Sequence, residues 1–439
     1  MTATAPKAAS APLPTAAAEA PRARFAMTAF GWLGSMKLSV WLLLILAALT
    51  WLGTLAQIDQ GLWKVQRDYF ESWGLLAELP LSWWGHPLFV LKIPLPGAYP
   101  VMGLLFVNLL VGGLWRMRWQ VRNAGILIVH VGIALLLLAG FVKLEYSYSG
   151  HLALYEAPEQ GQGVGARVTE GSLFTSFHDY ELALLRDDGD TISERVVPET
   201  QLAGARTGTV TVTAAGLPFT VRVHHWLDNC RPLPKGPMVR TASPVLDLGD
   251  GGPSVFLQPE PVDKKREANA AGCYVGVFEG DKRIAEGILY GEEMRPLDGR
   301  RFPLVFEVQG KRYGLDLRRV VYDLPFTVRL DRFVKRDHPG TTNAADFRSF
   351  VTVKDAGQEL PVQIYMNTPL RKDGFVLYQT SYGPPVGGPP FFSVFEVADN
   401  PSDIWPAVAC AVIAVGMLVH FVMKLWRFLH SSTREALAS

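Results

Sequence analysis

Four stretches of this 439-residue chain run for twenty or more positions without a formally charged side chain: Leu38–Ile58, Ile93–Trp115, Asn123–Val142 and Ile404–Met423. About 20 apolar residues are enough for a helix to cross the ~30 Å hydrocarbon core of a bilayer, so each stretch predicts a membrane span. The second is interrupted early by Pro94, Pro96 and Pro100, which places the start of its helix near Tyr99. The spans are read as residues 31–58 for the first, 99–143 for the second and third with the short basic link RMRWQVR between them, and 404–426 for the fourth, leaving a tail at 427–439.

Residues 144–403 follow a different rule. Alternating or β-branched segments recur there: GTVTVTAAGLPFTVRVHHW, CYVGVFEG, PLVFEVQGKRYGLDLRRVVY, PFTVRLDRFV, FRSFVTVKD, ELPVQIYM, GFVLYQTSY and FFSVFEVAD, punctuated by Gly, Pro, Asn and Asp. Period-2 alternation with closely spaced turn residues predicts strands, and no helical periodicity of comparable strength competes. The fold class is therefore a four-helix transmembrane protein with a large β-rich extracytoplasmic domain of antiparallel, sandwich-like sheets.

Two connecting regions fit neither pattern. Residues 1–30, rich in Ala, Pro and Thr with Arg22 and Arg24, read as a disordered cytoplasmic tail. The first span exceeds a signal-peptide core and lacks a small-residue cleavage site after it, so it reads as retained. Residues 59–98 carry Trp63, Tyr69, Phe70, Trp73, Trp83 and Trp84 among charges. Indole rings favour the membrane–water boundary, so this is an amphipathic interfacial segment; a tryptophan-lined ligand surface stays open as the alternative.

Charge adds orientation. Four spans put both termini on one side, together with Lys37, Arg116, Arg118, Arg122, Lys424, Arg427 and Arg434. By the positive-inside rule that side is the cytoplasm, which predicts a multi-pass protein of the cytoplasmic membrane with its large domain outside. A net charge of +1 gives no basic field for nucleic acid. The three cysteines, Cys230, Cys273 and Cys410, form neither CxxC nor CxxCH, which excludes a thioredoxin-type centre and covalent haem attachment to this chain. A disulfide between Cys230 and Cys273 is open in an oxidising compartment, and their spacing does not decide it.

The candidate chemistry lies in one imidazole. His130 sits inside the third span, seven residues after Asn123 and so ~10 Å along the helix. An ionisable group at that depth is costly and marks a functional site by default, although a neutral His bonded across a helix interface is an equal reading. Ile126, Leu127, Ile133, Ala134 and Leu137 share its face. His420, four residues before Lys424, reads as an interfacial side chain that could alternatively face His130. Asn108 reads as hydrogen-bonding glue between helices, and Gly112 and Gly113 as points of close approach. His224 and His225 are adjacent in a strand pattern and should point to opposite faces, a poor bidentate site. His151, His178 and His338 show no metal spacing. No nucleophile–base pair, phosphate loop or paired-carboxylate signature stands out, so no catalytic residue is assigned.

The chain resembles the ResB family of cytochrome c biogenesis proteins, the smaller membrane component of the system II haem-attachment machinery. The resemblance runs from Leu33 to Trp426. It rests on LGSMKLSVWLLLILAALTWLGTLAQID, SWWGHPLFVL and FVNLL, and most strongly on PFTVRLDRFVKRDHPGTTNAADFRSFVTVKD, MNTPLRKDGFVLYQTSY and SVFEV ahead of the last span. It implies that His130 is an axial ligand of a haem b held non-covalently and in transit. It also implies that the opposite ligand belongs to a ResC- or CcsA-type membrane partner, and that apocytochrome c receives the haem. The chain would then be a non-catalytic or co-catalytic subunit of a holocytochrome c synthase complex, with the β-domain available for docking. Arg118 and Arg122 could face haem propionates or serve only as positive-inside residues. No cysteine stands at the cytoplasmic end of the second helix, where some relatives have one, which weakens any thiol-dependent scheme. The competing reading is a membrane-tethered β-domain scaffold that binds envelope proteins without a cofactor.

Overall fold

The computed structural model describes residues 30–83, 86–156, 168–214, 216–236, 240–247, 254–292, 303–341, 343–383 and 391–438, with the backbone alone for 78–91 and 431–438. The expectations for residues 1–29 and for Trp84 lie outside the described residues, as does that for the Trp83 side chain. The chain divides into two compact units: residues 1–56, 65–141 and 404–439 in one, 57–64 and 142–403 in the other.

The first unit holds the four apolar runs as helices long enough to cross a membrane: α1 (Met36–Gln60), α2 (Ala98–Asn108, continued as π-helical turns Leu109–Trp115), α3 (Ala124–Tyr146) and α4 (Trp405–Ala438). Few of their side chains are buried within the chain, as expected where lipid is the solvent of the outer faces. Between α1 and α2 the chain makes an antiparallel hairpin, β1 (Gly74–Trp83) and β2 (His86–Pro96), where the sequence predicted an interfacial segment without assigned strands. Pro80, Pro87, Pro94 and Pro96 hide it from a pattern search. A two-stranded ribbon tolerates them because both of its outer edges need no ladder donor. The strand also claims Ile93–Pro96, and α2 begins at Ala98. Ala77 of the hairpin is buried in a cluster with Leu49, Leu52, Val65, Tyr69, Ala98 and Val101.

The second unit is built from antiparallel sheets. A ten-stranded sheet runs β16-β15-β14-β4-β3-β19-β18-β17, with β13 added to β14 and β5 to β4. Its strands are β3 (Tyr148–Tyr155), β4 (Glu170–Asp187), β5 (Ile192–Pro198), β13 (Leu304–Val308), β14 (Lys311–Asp337), β15 (Ala344–Asp355), β16 (Gln358–Tyr365), β17 (Leu370–Lys372), β18 (Phe375–Gly383) and β19 (Phe392–Asp399). A four-stranded sheet has the order β12-β11-β7-β6, from β6 (Thr209–Val212), β7 (Thr220–Leu227), β11 (Gly272–Glu279) and β12 (Lys282–Tyr290). β8 (Cys230–Pro234), β9 (Leu246–Asp247) and β10 (Ser254–Pro259) make a third, small sheet.

β14, 27 residues long, ties two cores together. Its Leu315 and Leu317, with Leu182 and Leu184 of β4, pack onto Val221, Val223, Val275 and Val277 of the four-stranded sheet, a face-to-face sandwich. Farther along, Leu324, Phe326, Val328 and Leu330 join Leu152, Phe174, Val351, Val353, Leu377, Phe395 and Val397, all from the ten-stranded sheet itself. That sheet therefore curls around its own core. Breaks in the β14–β4 register between Arg319 and Val321 and between Asp323 and Val328 supply the bend.

One sequence expectation is reversed in β7. His224 and His225 do not diverge: their Nδ1 atoms lie 2.8 Å apart. The β7–β11 pairing slips so that His225 and Trp226 stand opposite Cys273 alone, and His225 takes a left-handed backbone with φ 48°. Alternation of faces fails at such a bulge because the extra residue rotates the side-chain sequence.

Candidate functional site

α2 reaches His130 through its π-helical end. Gly97, at the N-cap, lies so close to Ser72 that a Cβ there would meet the Ser72 carbonyl at 2.0 Å. Eleven residues on, Asn108 is buried and fully used: its Nδ2 donates to the carbonyls of Leu33 (2.5 Å) and Ser35 (3.1 Å), and its Oδ1 accepts from Ser39 Oγ at 2.6 Å. This amide anchors the start of α1 to the middle of the second span. Gly112 then abuts Gly34, where a Cβ would come within 2.6 Å of the Gly34 oxygen. The next residue, Gly113, faces α3.

His130 Nδ1 lies 3.0 Å from the Gly113 carbonyl oxygen. A carbonyl can only accept, so Nδ1 carries a hydrogen, and in the neutral ring this tautomer leaves the lone pair on Nε2. Gly113 belongs to the last turn of its helix, where carbonyls have no intrahelical donor, and the imidazole satisfies it. The contact is tight: a Cβ at 113 would lie 3.1 Å from the same nitrogen, so the ring would have to shift by a few tenths of an ångström. This is the arrangement that fixes the tautomer and ring plane of a metal-ligating histidine. The ring is half-buried, and none of Ile126, Leu127, Ile133, Ala134 or Leu137 on its face is buried.

The opposite side of α3 is closed. Its buried residues are Gly125, Gly132 and Ala139, seven apart. A Cβ at Gly125 would meet the backbone of His420 at 2.5 Å, and one at Gly132 would meet Ile413 at 2.6 Å and the Ala409 oxygen at 3.1 Å. Five residues of helix separate Gly125 from His130, about 140° around the axis, so the face that seats α4 is not the face that carries the imidazole. The His420 ring packs against Phe421 at 5.8 Å, and no contact joins it to His130 among the described residues. Arg118 and Arg122 are exposed. Among the described residues no group of three His, Cys, Asp or Glu could hold a metal ion.

The β-domain holds other perturbed groups. His151 and His178 flank Phe177 at 5.4 and 6.0 Å between ring centroids, and each buries a partnerless Nδ1. Burial lowers both from the ordinary imidazole value, and the Arg319 charge adds to the effect. Arg319 spans Glu292, the carbonyls of Phe177, Glu267 and Asn269, and the face of Tyr180. Cys230 and Cys273 are buried free thiols, Cys410 a free one on α4. Burial pushes Cys230 up to about 12 and Cys273 further, so neither is a thiolate near neutral pH. Nothing in the sequence flagged Gly113 as the partner of His130; the Gly112–Gly113 pair at the end of an apolar run was the one available signal.

Residues 306–388 match the ResB-like family. The matched span runs from within β13 through β18 and includes all of β14, the strand that links the two cores. Comparison with curated proteins gives no match. His130 lies well outside the matched span.

Proposed function

We propose that this chain is the haem-handling subunit of a system II cytochrome c maturation complex, and that His130 binds haem iron from one side through Nε2. The observation that carries the reading is the His130–Gly113 hydrogen bond, which fixes the ring and, in its neutral form, selects the tautomer with the lone pair on Nε2. Haem b is the cargo. Bound at His130, it would be held through the Nε2 lone pair within the third span. The apolar residues around His130 offer a wall for a porphyrin.

One imidazole supplies one axial bond. The second is assigned to a ResC- or CcsA-type membrane partner, with apocytochrome c as the acceptor of the haem. The orientation that suits this scheme puts both termini in the cytoplasm and the β-domain outside, in the cytoplasmic membrane.

The test is an absorbance spectrum of the complex purified with its partner. A b-type Soret band is expected, and His130→Ala should remove it and abolish c-type cytochromes. Added imidazole should restore the band in that variant. A band undiminished in His130→Ala refutes the ligand assignment. Its absence from the wild-type complex favours the cofactor-free scaffold.

A further inference from the structure

The adjacent histidines of β7 converge where the strand pattern predicted divergence. Their Nδ1 atoms are 2.8 Å apart, with ring centroids 5.0 Å apart and planes 78° to one another. Tyr274 supports both, stacked against His224 and edge-on to His225, each at 5.9 Å. The tyrosine is itself fixed, its hydroxyl donating to the Pro244 carbonyl and accepting from the Leu257 amide. His224 is half-buried and His225 exposed. Thr209, the first residue of β6, pairs with His224, so the ladder ends there and His225 projects beyond it.

Two features call for an explanation. A non-glycine residue at φ 48° carries a cost, and such outliers gather at functional sites. The spacing is also specific: two nitrogens bound cis, at right angles, to an ion 2.0–2.1 Å away lie ~2.9 Å apart. A tetrahedral ion would need them farther apart. Imidazole pairs in tetragonal geometry suit divalent copper or nickel, and copper leads the affinity order.

We propose that His224 and His225 form the imidazole pair of a tetragonal site for a divalent copper or nickel ion on the β-domain surface. The remaining positions are taken by water or by a side chain of a docking protein. Metal entry replaces the Nδ1–H···Nδ1 hydrogen bond: the donating ring's hydrogen moves through solvent from Nδ1 to its own Nε2, so both neutral rings carry hydrogen on Nε2 and both Nδ1 lone pairs bind the ion. The Glu286 carboxylate, which acts electrostatically on His224, favours the added positive charge. The site is independent of His130.

The probe is Cu²⁺ added to the full-length protein in detergent, read by electron paramagnetic resonance and by competition with a chelator. Wild type should hold a copper equivalent whose spectrum shows coupling to two imidazole nitrogens. His224→Gln and His225→Asn should each lose it, while His130→Ala keeps it. Asparagine tolerates the left-handed backbone at 225 and preserves the bulge. Copper retained in both β7 variants overturns the proposal. So does a wild-type spectrum with fewer than two coupled nitrogens, a result that needs no variant.

Discussion

The ring of His130 and the carbonyl of Gly113, seventeen residues apart in sequence, are joined at 3.0 Å where the π-helical end of α2 meets α3. This bond holds the ring plane and places a hydrogen on Nδ1. Its acceptor is one of the carbonyls that a helix end leaves without an intrahelical donor.

Replacing Gly113 tests that role without touching the imidazole. Gly113→Val adds atoms at a point already 3.1 Å from Nδ1, and the ring must turn or α2 must retreat. The haem absorbance of the complex should fall and its maximum should shift, short of the loss caused by His130→Ala. An unchanged spectrum would show that the orientation set by Gly113 is immaterial.

Gly125 gives a packing test on the other face of α3. Its added Cβ meets backbone atoms, the His420 nitrogen at 2.5 Å and the Gly416 oxygen at 2.7 Å, which cannot step aside. Gly125→Ala should cost about 1–3 kcal/mol through overpacking, seen as a lower thermal midpoint in detergent. Gly140→Ala, with nothing within 4 Å, should be neutral or stabilising by up to ~1 kcal/mol, as alanine is the better helix former. Equal midpoints for the two variants would disprove the seam.

Asn108→Leu removes the donor to two carbonyls and the acceptor of Ser39. Polar contacts between membrane helices are worth on average ~0.6 and at most ~1.7 kcal/mol in comparable measurements. The loss should approach the upper value because three partners are orphaned together. Ser39→Ala, which removes one, should cost less. The ratio of the two midpoint shifts is the readout, and a larger shift for Ser39→Ala would contradict the network.

The membrane part and the sandwich were open to a reading of the sequence because each writes a single period into the chain. Uncharged runs mark spans, and HPHP alternation marks strands with one buried face. β4 escaped because Tyr180 to Leu184 is buried at every position, between β5 and β14 in a sheet covered on its inner face, so alternation vanishes. The β1–β2 hairpin escaped through its prolines. The histidine pair was misread because a bulge depends on a register slip against Cys273, a contact some fifty residues away. For His130 the residue could be found, but its partner could not: a backbone carbonyl has no sequence signature.

Arg319 offers a stability prediction for the β-domain. Its guanidinium is buried beside Tyr180 and donates to Glu292 and to three main-chain carbonyls. Arg319→Ala leaves those acceptors unpaired, and breaking a buried charged network typically costs about 3–5 kcal/mol. Arg319→Lys keeps the charge but not the planar fork, so it should recover only part of the loss. Limited proteolysis of the intact protein reads the order wild type, Lys, Ala; a lysine variant as resistant as wild type would argue against the fork.

Acidification should weaken the same domain, and the sign follows from His151 and His178. Burial holds both folded rings below the ordinary 6.5 at which they would titrate in the unfolded chain. Well above 6.5 both states are neutral and the stability these rings permit is fully present. As pH falls past 6.5 the unfolded chain binds protons first, so the balance shifts toward unfolding until the folded rings also titrate. The thermal midpoint of the intact protein should therefore drop between about pH 7.5 and 5.5. The drop should be smaller in a His151→Asn, His178→Asn double variant, whose side chains do not titrate. Most carboxylates stay ionised across that window, which leaves imidazoles as the main carriers of the slope. A double variant with the wild-type slope would assign the effect to other histidines.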